Sequence, residues 1–225
     1  MRRYIHLIHI AWLIITNPPV LFEKLQRLDW YWQMLTQWIK GLGIKPGERV
    51  LEVGCGPGLL TQYLAQSGVN AVGLDHSSRM VKRAYQRTKN GKDTISYING
   101  DVYHLPWENG TFNHTIAASL INIIPDADRA LTEMIRVTLS GGSVSLLVPS
   151  NNMSNLSVSN FIEKNRLTGF SAAALFTWAT NAPKCTKDDL KGHMERAGLE
   201  QIHFTALLDG NVLIGTGIKR LKAKA

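Results

Sequence analysis

The chain alternates between two hydrophobic periods, and the changes of period mark its elements. Val50 to Val53 is an apolar, β-branched run of the kind that forms a buried strand. After a glycine-rich turn, Leu60, Tyr63 and Leu64 fall at helical spacing and predict a helix from Leu59 to Gln66. The alternation continues with a strand from Asn70 to Asp75 and a helix from Ser78 to Lys89, with Ser77 or Ser78 as its N-cap. Strands follow at Ile95 to Asp101 and Phe112 to Ser119. A helix opening at Asp126 or Asp128 runs to about Thr138, and Gly141-Gly142 turns into a fifth strand, Val144 to Val148. Near the C-terminus, Thr186 to Ala197 reads as a helix, with Thr186 and Asp189 in an approximate capping box and Gly198 as its stop. Two last strands, Leu199 to Leu208 and Asn211 to Lys219, join at Asp209-Gly210, a strong hairpin signal.

Two stretches depart from this rhythm. Leu21 to Leu42 reads as one helix carrying Trp30, Tyr31, Trp32 and Trp38, and Lys45-Pro46-Gly47 turns out of it. Residues 151–184, rich first in Ser and Asn and then in aromatics (Phe161, Phe170, Phe176, Trp178), read as an insertion with one or two helices over the strand ends.

Strands alternating with helices imply a parallel sheet with helices on both faces and right-handed crossovers. Ligands of such sheets bind at the carboxyl ends of the strands. Glu52, Asp75, Asp101 and Ser119 lie at or near such ends. The stretch from Val50 to Gly58 is the centre of the pattern. Its glycines, Gly54, Gly56 and Gly58, tolerate positive φ and let a ligand approach the backbone, and the following helix aims its free N–H groups at the same place. Acids at the next two strand ends suit an adenosine: Asp75 for the ribose hydroxyls, Asp101 for the adenine amino group.

Four ordered blocks, spanning about residues 46 to 150, carry a resemblance. They are Val50-Leu51-Glu52-Val53-Gly54-Cys55-Gly56-Pro57-Gly58, Gly73-Leu74-Asp75-His76-Ser77-Ser78-Arg79-Met80, Gly100-Asp101-Val102 with Leu105-Pro106-Trp107 and Gly110-Thr111-Phe112, and Ala130-Leu131-Thr132-Glu133-Met134 with Arg136-Val137 and Gly141-Gly142. The chain resembles the class I S-adenosylmethionine-dependent methyltransferases, in the small-molecule group that includes the ubiquinone and menaquinone C-methyltransferases. The resemblance implies an α/β, Rossmann-like, doubly wound and mostly parallel seven-stranded sheet with a C-terminal antiparallel hairpin. It divides the chain into an N-terminal helical cap, residues 1–45, and a methyltransferase domain, residues 46–225. It implies S-adenosyl-L-methionine as cofactor. Gly54, Gly56 and Gly58 would let the backbone approach it, with Cys55 as a small residue in the tight turn. Glu52 would orient the loop or the methionine amino group, Asp75 would hold the ribose, and His76 and Met80 would flank the adenine. Asp101 and Val102 would pair with the adenine, and Ser119 would meet the methionine portion.

Methyl transfer from a sulfonium is an in-line displacement that asks for alignment and exclusion of water rather than a nucleophilic side chain. Neither a convincing triad nor a metal-ligand spacing is visible, so no catalytic residue is assigned and no metal is expected. Two departures from the family pattern stand out. Asn113 follows Phe112 where an Asp is usual, which weakens a capping contact, and the loop Leu120-Ile121-Asn122-Ile123-Ile124-Pro125 lacks a histidine. His104 is the nearest other base, and a surface role is the simpler reading for it. The N-terminal signature of the quinone enzymes is absent, so their substrate does not transfer.

Composition changes the picture at two points. With 225 residues, of which 44% are hydrophobic and 19% charged, the chain is sized for one globular domain. Its formal net charge of +8 favours anionic partners, yet no basic run marks a nucleic-acid patch, and nucleic acid is not expected as a partner. Cys55 and Cys185 show neither disulfide nor metal spacing, which fits a reducing, cytoplasmic setting. Met1 to Ile15 couples Arg2 and Arg3 to an apolar run that is short for a membrane span. No small-residue cleavage site follows, only Thr16-Asn17-Pro18-Pro19. Three readings stay open: a helix packed on the domain, a helix lying peripherally in a membrane surface, and an uncleaved anchor.

Three function classes remain after this reading. The first is methyl transfer to a small-molecule or lipid-like acceptor. The second is a nicotinamide-dependent oxidoreductase, whose fingerprint places its last glycine where Leu59 stands. The third is a non-catalytic cofactor-binding subunit.

Overall fold

The computed structural model describes residues 2–88 and 94–221, with backbone alone for residues 2–4. Met1, the side chains of Arg2 and Arg3, and the expected helix end at Lys89 therefore lie outside the described residues. Seven strands form one sheet in the order β3-β2-β1-β4-β5-β7-β6. Their ranges are β1 (Arg49–Val53), β2 (Asn70–Asp75), β3 (Ile95–Asn99), β4 (Phe112–Ala118), β5 (Thr138–Pro149), β6 (Leu199–Leu207) and β7 (Val212–Lys219). The first five run parallel, and β7 pairs antiparallel with both β5 and β6. The expected doubly wound sheet with a terminal hairpin is the observed one.

Alternate side chains of each strand feed two separate cores. On one face, Val50, Ala71, Ile116 and Leu147 pack beneath α3 (Asp29–Gly41) and α4 (Leu59–Gln66). On the other, Leu51, Val53, Leu74, Ala117, Leu146 and Val148 pack beneath α6 (Ala127–Val137) and α9 (Lys187–Arg196). Between β2 and α4 the fit is tight: a Cβ on Gly73 would lie 2.8 Å from Cys55 Sγ, Thr61 Oγ1 and Tyr97 Cδ1. The helix α5 (Ser78–Arg87) opens as expected, with the Ser77 hydroxyl accepting from the Met80 N–H.

Three boundaries differ from expectation. The third strand stops at Asn99 and not at Asp101, which leaves Asp101 in the loop beyond it. The single helix expected over Leu21 to Leu42 is two: α2 (Pro18–Gln26) and α3, separated by Arg27 and Leu28. Leu28 is extended, at φ −69° and ψ 134°, and its side chain packs against both the main core and the outer helices. The chain turns at this partly buried leucine, so that α3 lies on the sheet while α2 joins α1 (Arg2–Thr16) outside it. The fifth strand is longer than Val144 to Val148. It pairs Thr138 with Phe112 and then Ser143 with His114, and residues 139–142 bulge out between those pairs. A Cβ on Gly142 would stand 2.5 Å from the Asn113 carbonyl oxygen, so this bulge requires glycine there.

The insertion forms α7 (Asn155–Lys164) and α8 (Gly169–Asn181). It leaves the sheet at the end of β5, where Ser150 and Cys185 form an isolated bridge. Its aromatics go mainly into packing. Phe161 is buried in the main core, and Trp178 stacks on Trp30 at 6.1 Å between ring centroids. The apolar stripe of α1, Ile10 and Leu13, packs with Ala173 and Ala174 of α8 and Leu21 of α2.

Candidate functional site

The end of β1 places a carboxylic acid inside the protein. Side-chain alternation puts Glu52 on the α3/α4 face, where it is buried. Thr61 Oγ1, one turn into α4, donates to Glu52 Oε2 at 2.5 Å. Burial pushes the Glu52 carboxyl up to about 8, and the charge of Asp75 adds to the shift, while the Thr61 hydrogen bonds oppose it. Tyr31, on α3, faces the same region. Burial and then the charge of Glu52 raise its phenol above the ordinary value. Its ring packs against Trp30 and Trp178.

Beyond β1 the chain turns through its glycines with positive φ at Gly54, Gly56 and Gly58. These three positions are not equivalent. A Cβ on Gly58 would collide with Tyr97 and Ala84 at 2.6–2.8 Å, so this glycine serves close packing of the loop against β3 and α5. A Cβ on Gly54 would touch the methyls of Leu120 at 3.4 Å, and one on Gly56 would meet only Gln26 Nε2, at 4.0 Å. Gly56 thus faces open space under the last residue of α2. Cys55 is fully buried behind the loop, and burial raises its thiol well above the ordinary value, which leaves it a packed, protonated group.

Asp75 holds this loop from the end of β2. Its Oδ2 accepts from the Gly56 N–H at 2.8 Å, and its Oδ1 accepts from the Ser77 N–H at 2.9 Å. One carboxylate therefore fixes both the glycine turn and the start of α5. A carboxylate accepts about four hydrogen bonds, so roughly two acceptor positions remain. Asn99 Nδ2 donates to the carbonyl oxygens of Asp75 and His76 and braces the strand end from β3.

The remaining expected residues lie around this centre at different depths. The His76 side chain is exposed, with Nδ1 3.7 Å from Asp75 Oδ1. Met80 is buried under α5, and Val102 is buried in the opposite core. Asp101 is half exposed; its Oδ1 accepts from the Tyr103 N–H, and that bond, with help from His104, holds its carboxyl below the usual carboxylate range. Ser119, just past β4, has φ +51°, and its hydroxyl is buried with no partner. A strained backbone and an orphaned buried hydroxyl at a strand end fit a ligand-binding position. His104 is exposed between Asp101 and Arg129, with Arg129 Nη2 2.7 Å from its Nε2. Asn113 accepts from the Arg49 N–H at the start of β1, at 2.9 Å.

Glu52, the loop at Gly54 and Gly56, Asp75 and Ser119 thus lie together at the carboxyl ends of β1, β2 and β4. Gln26, Thr61 and Asn99 support them and are not evident in the sequence: Gln26 and Asn99 act from distant parts of the chain, and Thr61 acts from the helix that follows the loop. Tyr31 had a visible signal, its place in the aromatic cluster before β1, although that signal did not separate it from its packed neighbours.

A glycine turn held by a strand-end acid, on a β3-β2-β1-β4-β5-β7-β6 sheet, defines a class of protein. Residues 51–146 match the family described as a methyltransferase domain. Over that stretch the chain is similar to a methyltransferase domain, and its sheet has the order implied by the resemblance to class I S-adenosylmethionine-dependent methyltransferases. Among similar proteins, a demethylmenaquinone methyltransferase of Beutenbergia cavernae is 37% identical over 116 residues, 51% of this chain and 45% of that protein. A sterol 24-C-methyltransferase of Schizosaccharomyces pombe is 34% identical over 104 residues, 45% of this chain and 28% of that one. The chain thus spans less than half the length of each of these two relatives. Among solved structures, a Haemonchus contortus phosphoethanolamine N-methyltransferase in complex with S-adenosyl-L-methionine superposes with a TM-score of 0.69 at 16% identity, over 93% of this chain and 59% of that one. At that identity the likeness concerns the fold.

Proposed function

We propose that this chain binds S-adenosylmethionine and transfers its methyl group to a small, apolar or lipid-like acceptor. The observation that carries the reading is the Asp75 carboxylate bonded to the Gly56 N–H beside open space, with the unpartnered Ser119 hydroxyl and the buried Glu52 at the neighbouring strand ends. These groups fit the cofactor. Asp75 has acceptor capacity left for the ribose hydroxyls, Gly54 and Gly56 allow close approach, and Glu52 and Ser119 suit the amino-acid end. His76, Met80, Asp101 and Val102 would border the base. When bound, S-adenosylmethionine supplies a methyl group already activated on a sulfonium. The protein's part is then to align, desolvate and exclude water. Tyr31 and Trp178, backed by the buried Trp30, would give the acceptor an aromatic wall on the α3 side. The match to a methyltransferase domain supports this reading over nicotinamide chemistry. The quinone and sterol enzymes among the relatives act, by their names, on apolar molecules, in keeping with an apolar acceptor here.

The same reading extends to where the acceptor is met. No helix among the described residues is long and apolar enough to cross a membrane. Yet α1 has a second apolar stripe opposite its packed one. Ile5, Ile8, Trp12 and Ile15, at helical spacing, are each between 58% and 81% exposed. A stripe that includes a tryptophan, on a chain of net charge +8, suits an anionic bilayer surface.

Calorimetric titration with S-adenosylhomocysteine tests the cofactor. Wild type is expected to bind, and Gly56→Val to lose binding at least 100-fold, because a branched side chain fills the open space at positive φ. Unchanged affinity in that variant would overturn the assignment. For the surface, full-length protein is expected to float with anionic vesicles at low salt and Trp12→Glu to remain behind. Failure of both to float would remove the membrane contact and leave the cofactor reading untouched.

A further inference from the structure

One carboxylate in the cap carries three cations. Glu23 of α2 is buried, and its Oε1 lies 2.8 Å from Arg27 Nη2 and 2.6 Å from Arg87 Nη1. Its Oε2 lies 2.7 Å from Arg83 Nε and 2.5 Å from Arg83 Nη2. Burial works against ionisation of Glu23, but the Arg83 hydrogen bond and the charges of Arg87, Arg83 and Arg27 together hold its carboxyl below the ordinary value. The cluster latches α2 onto α5 and retains two positive charges in excess.

That excess opens onto a cavity of about 270 Å³ between the cap and the outer face of α4. It is lined by Gln26, Arg27, Trp32, Leu59, Gln62, Tyr63, Gln66 and Arg87. Two polar groups there lack partners. Gln26 is only 8% exposed, and its Oε1 is buried and accepts nothing; the Arg87 Nε–H is buried and donates to nothing. Arg87 otherwise donates to Glu23 and, at 3.2 Å, to Gln62 Oε1. Burial and the nearby charge of Arg27 lower its guanidinium from the ordinary value, although Glu23 opposes this. Trp32 and Tyr63 close one side edge to face, 5.3 Å apart.

We infer that this cavity is a binding site for a compact oxyanion, a phosphate or a carboxylate carrying at least two negative charges. Such a ligand would neutralise the excess of the arginine cluster. A planar guanidinium matches the paired oxygens of either group. A turn of the Gln26 side-chain amide, whose oxygen and nitrogen ends are interchangeable in shape, would present its N–H groups to the same ligand. The site is distinct from the cofactor's. From Leu59 to Gln66 it runs along α4 for roughly 10 Å away from the glycine loop. It meets the cofactor site at Gln26, which stands over Gly56, and at Leu59, which follows Gly58. The inference concerns a neighbour of the proposed cofactor site and does not require methyl transfer.

The test is calorimetric titration of the full chain with inorganic pyrophosphate and, separately, with succinate, in chloride buffer. Saturable binding of either is expected, and the stronger one distinguishes a phosphate from a carboxylate ligand. Arg27→Gln removes a half-exposed cation while Arg83 and Arg87 still hold Glu23, and is expected to weaken the anion at least tenfold. Gln66→Glu places a negative charge at the far end of the cavity without touching the latch, and is expected to weaken it several-fold. Both variants should keep their affinity for S-adenosylhomocysteine. Absence of saturable binding at millimolar anion, indifference of the anion to both variants, or strict competition between anion and S-adenosylhomocysteine would each overturn the inference. A protein that takes pyrophosphate but not S-adenosylhomocysteine would retire the proposed function and leave this site standing.

Discussion

The two faces of the sheet are built from the same strands and could hardly be more different chemically. Beneath α6 and α9 Leu131, Met134, Leu190 and Met194 close on Leu51, Val53 and Leu74, and the buried polar pair there, Thr115 and Thr138, is uncharged and satisfied by its own hydrogen bonds. Beneath α3 and α4 the burial is as complete, but it includes Glu52, Thr61 and Ser145, the last accepting from Trp38 Nε1 at 2.8 Å. One residue of offset along β1 separates the two environments, since Leu51 and Val53 point one way and Glu52 the other. The difference teaches that stability and chemistry are divided here by side-chain parity. The apolar face holds the sheet, and the other face carries the costlier buried polar groups that a ligand would use.

The division can be broken at its strongest point first. Leu131→Ala, wholly on the apolar face, is expected to cost about 2–5 kcal/mol of stability in denaturant titration. At temperatures where the variant is folded, its affinity for S-adenosylhomocysteine should stay within about twofold. A large binding defect there would mean that the faces are not separable. Asp75→Ala works from the opposite side. It should lower cofactor affinity by more than about tenfold, equivalent to roughly 1.5–3 kcal/mol, through lost charge-assisted hydrogen bonds. A ligand lacking the ribose hydroxyls should lose little more on that background, and a fully additive loss would separate Asp75 from the ribose.

Glu52 sharpens the comparison through pH. Its carboxyl is raised to about 8 in the folded protein from about 4.3 in an unfolded chain. The folded state therefore holds a proton that the unfolded state has released. Stability associated with this group is fully present below the unfolded value and is lost as pH rises towards 8, with a slope on the order of 1.4 kcal/mol per pH unit at most. Thermal melts of the ligand-free protein should fall across that window, and those of Glu52→Gln should fall less. Ligand affinity should run in the opposite sense. If the Glu52 carboxylate receives the cofactor's amino group, binding strengthens towards pH 8 in wild type and stays flat in Glu52→Gln. Parallel pH profiles for the two proteins would take Glu52 out of the site.

The elements that carry this division were legible in the sequence, although the division itself was not. The strand at Val50, the helix from Leu59 and the acid ending β2 are local patterns, and each lies where its periodicity indicated. The ordered blocks then gave the sheet its connection. What the pattern missed depends on contacts distant in sequence. The break at Leu28 is not marked by a proline or glycine; its partly buried side chain packs between two layers that the local pattern does not show. Gln26 over Gly56, and Glu23 among Arg83 and Arg87, join residues about 30 to 64 positions apart. The aromatics of the insertion carried the right composition for either a pocket or a core, and only packing against Trp30 shows how far the core claims them. The roles of Gly54 and Gly58, alike in sequence, separate only when Leu120 and Tyr97 are seen beside them.

The seating of α1 on α8 has a consequence for synthesis. Ile10 and Leu13 find their partners in Ala173 and Ala174, roughly 160 residues later in the chain. At a translation rate of about 5–20 residues per second, that face has Leu21 of α2 almost at once but waits roughly 8–30 s for the part that α8 covers. During that interval the nascent chain presents both apolar stripes of its first helix. Whatever meets the ribosome exit first, a chaperone or a lipid surface, encounters a fully amphiphilic helix that the finished protein shows only by half.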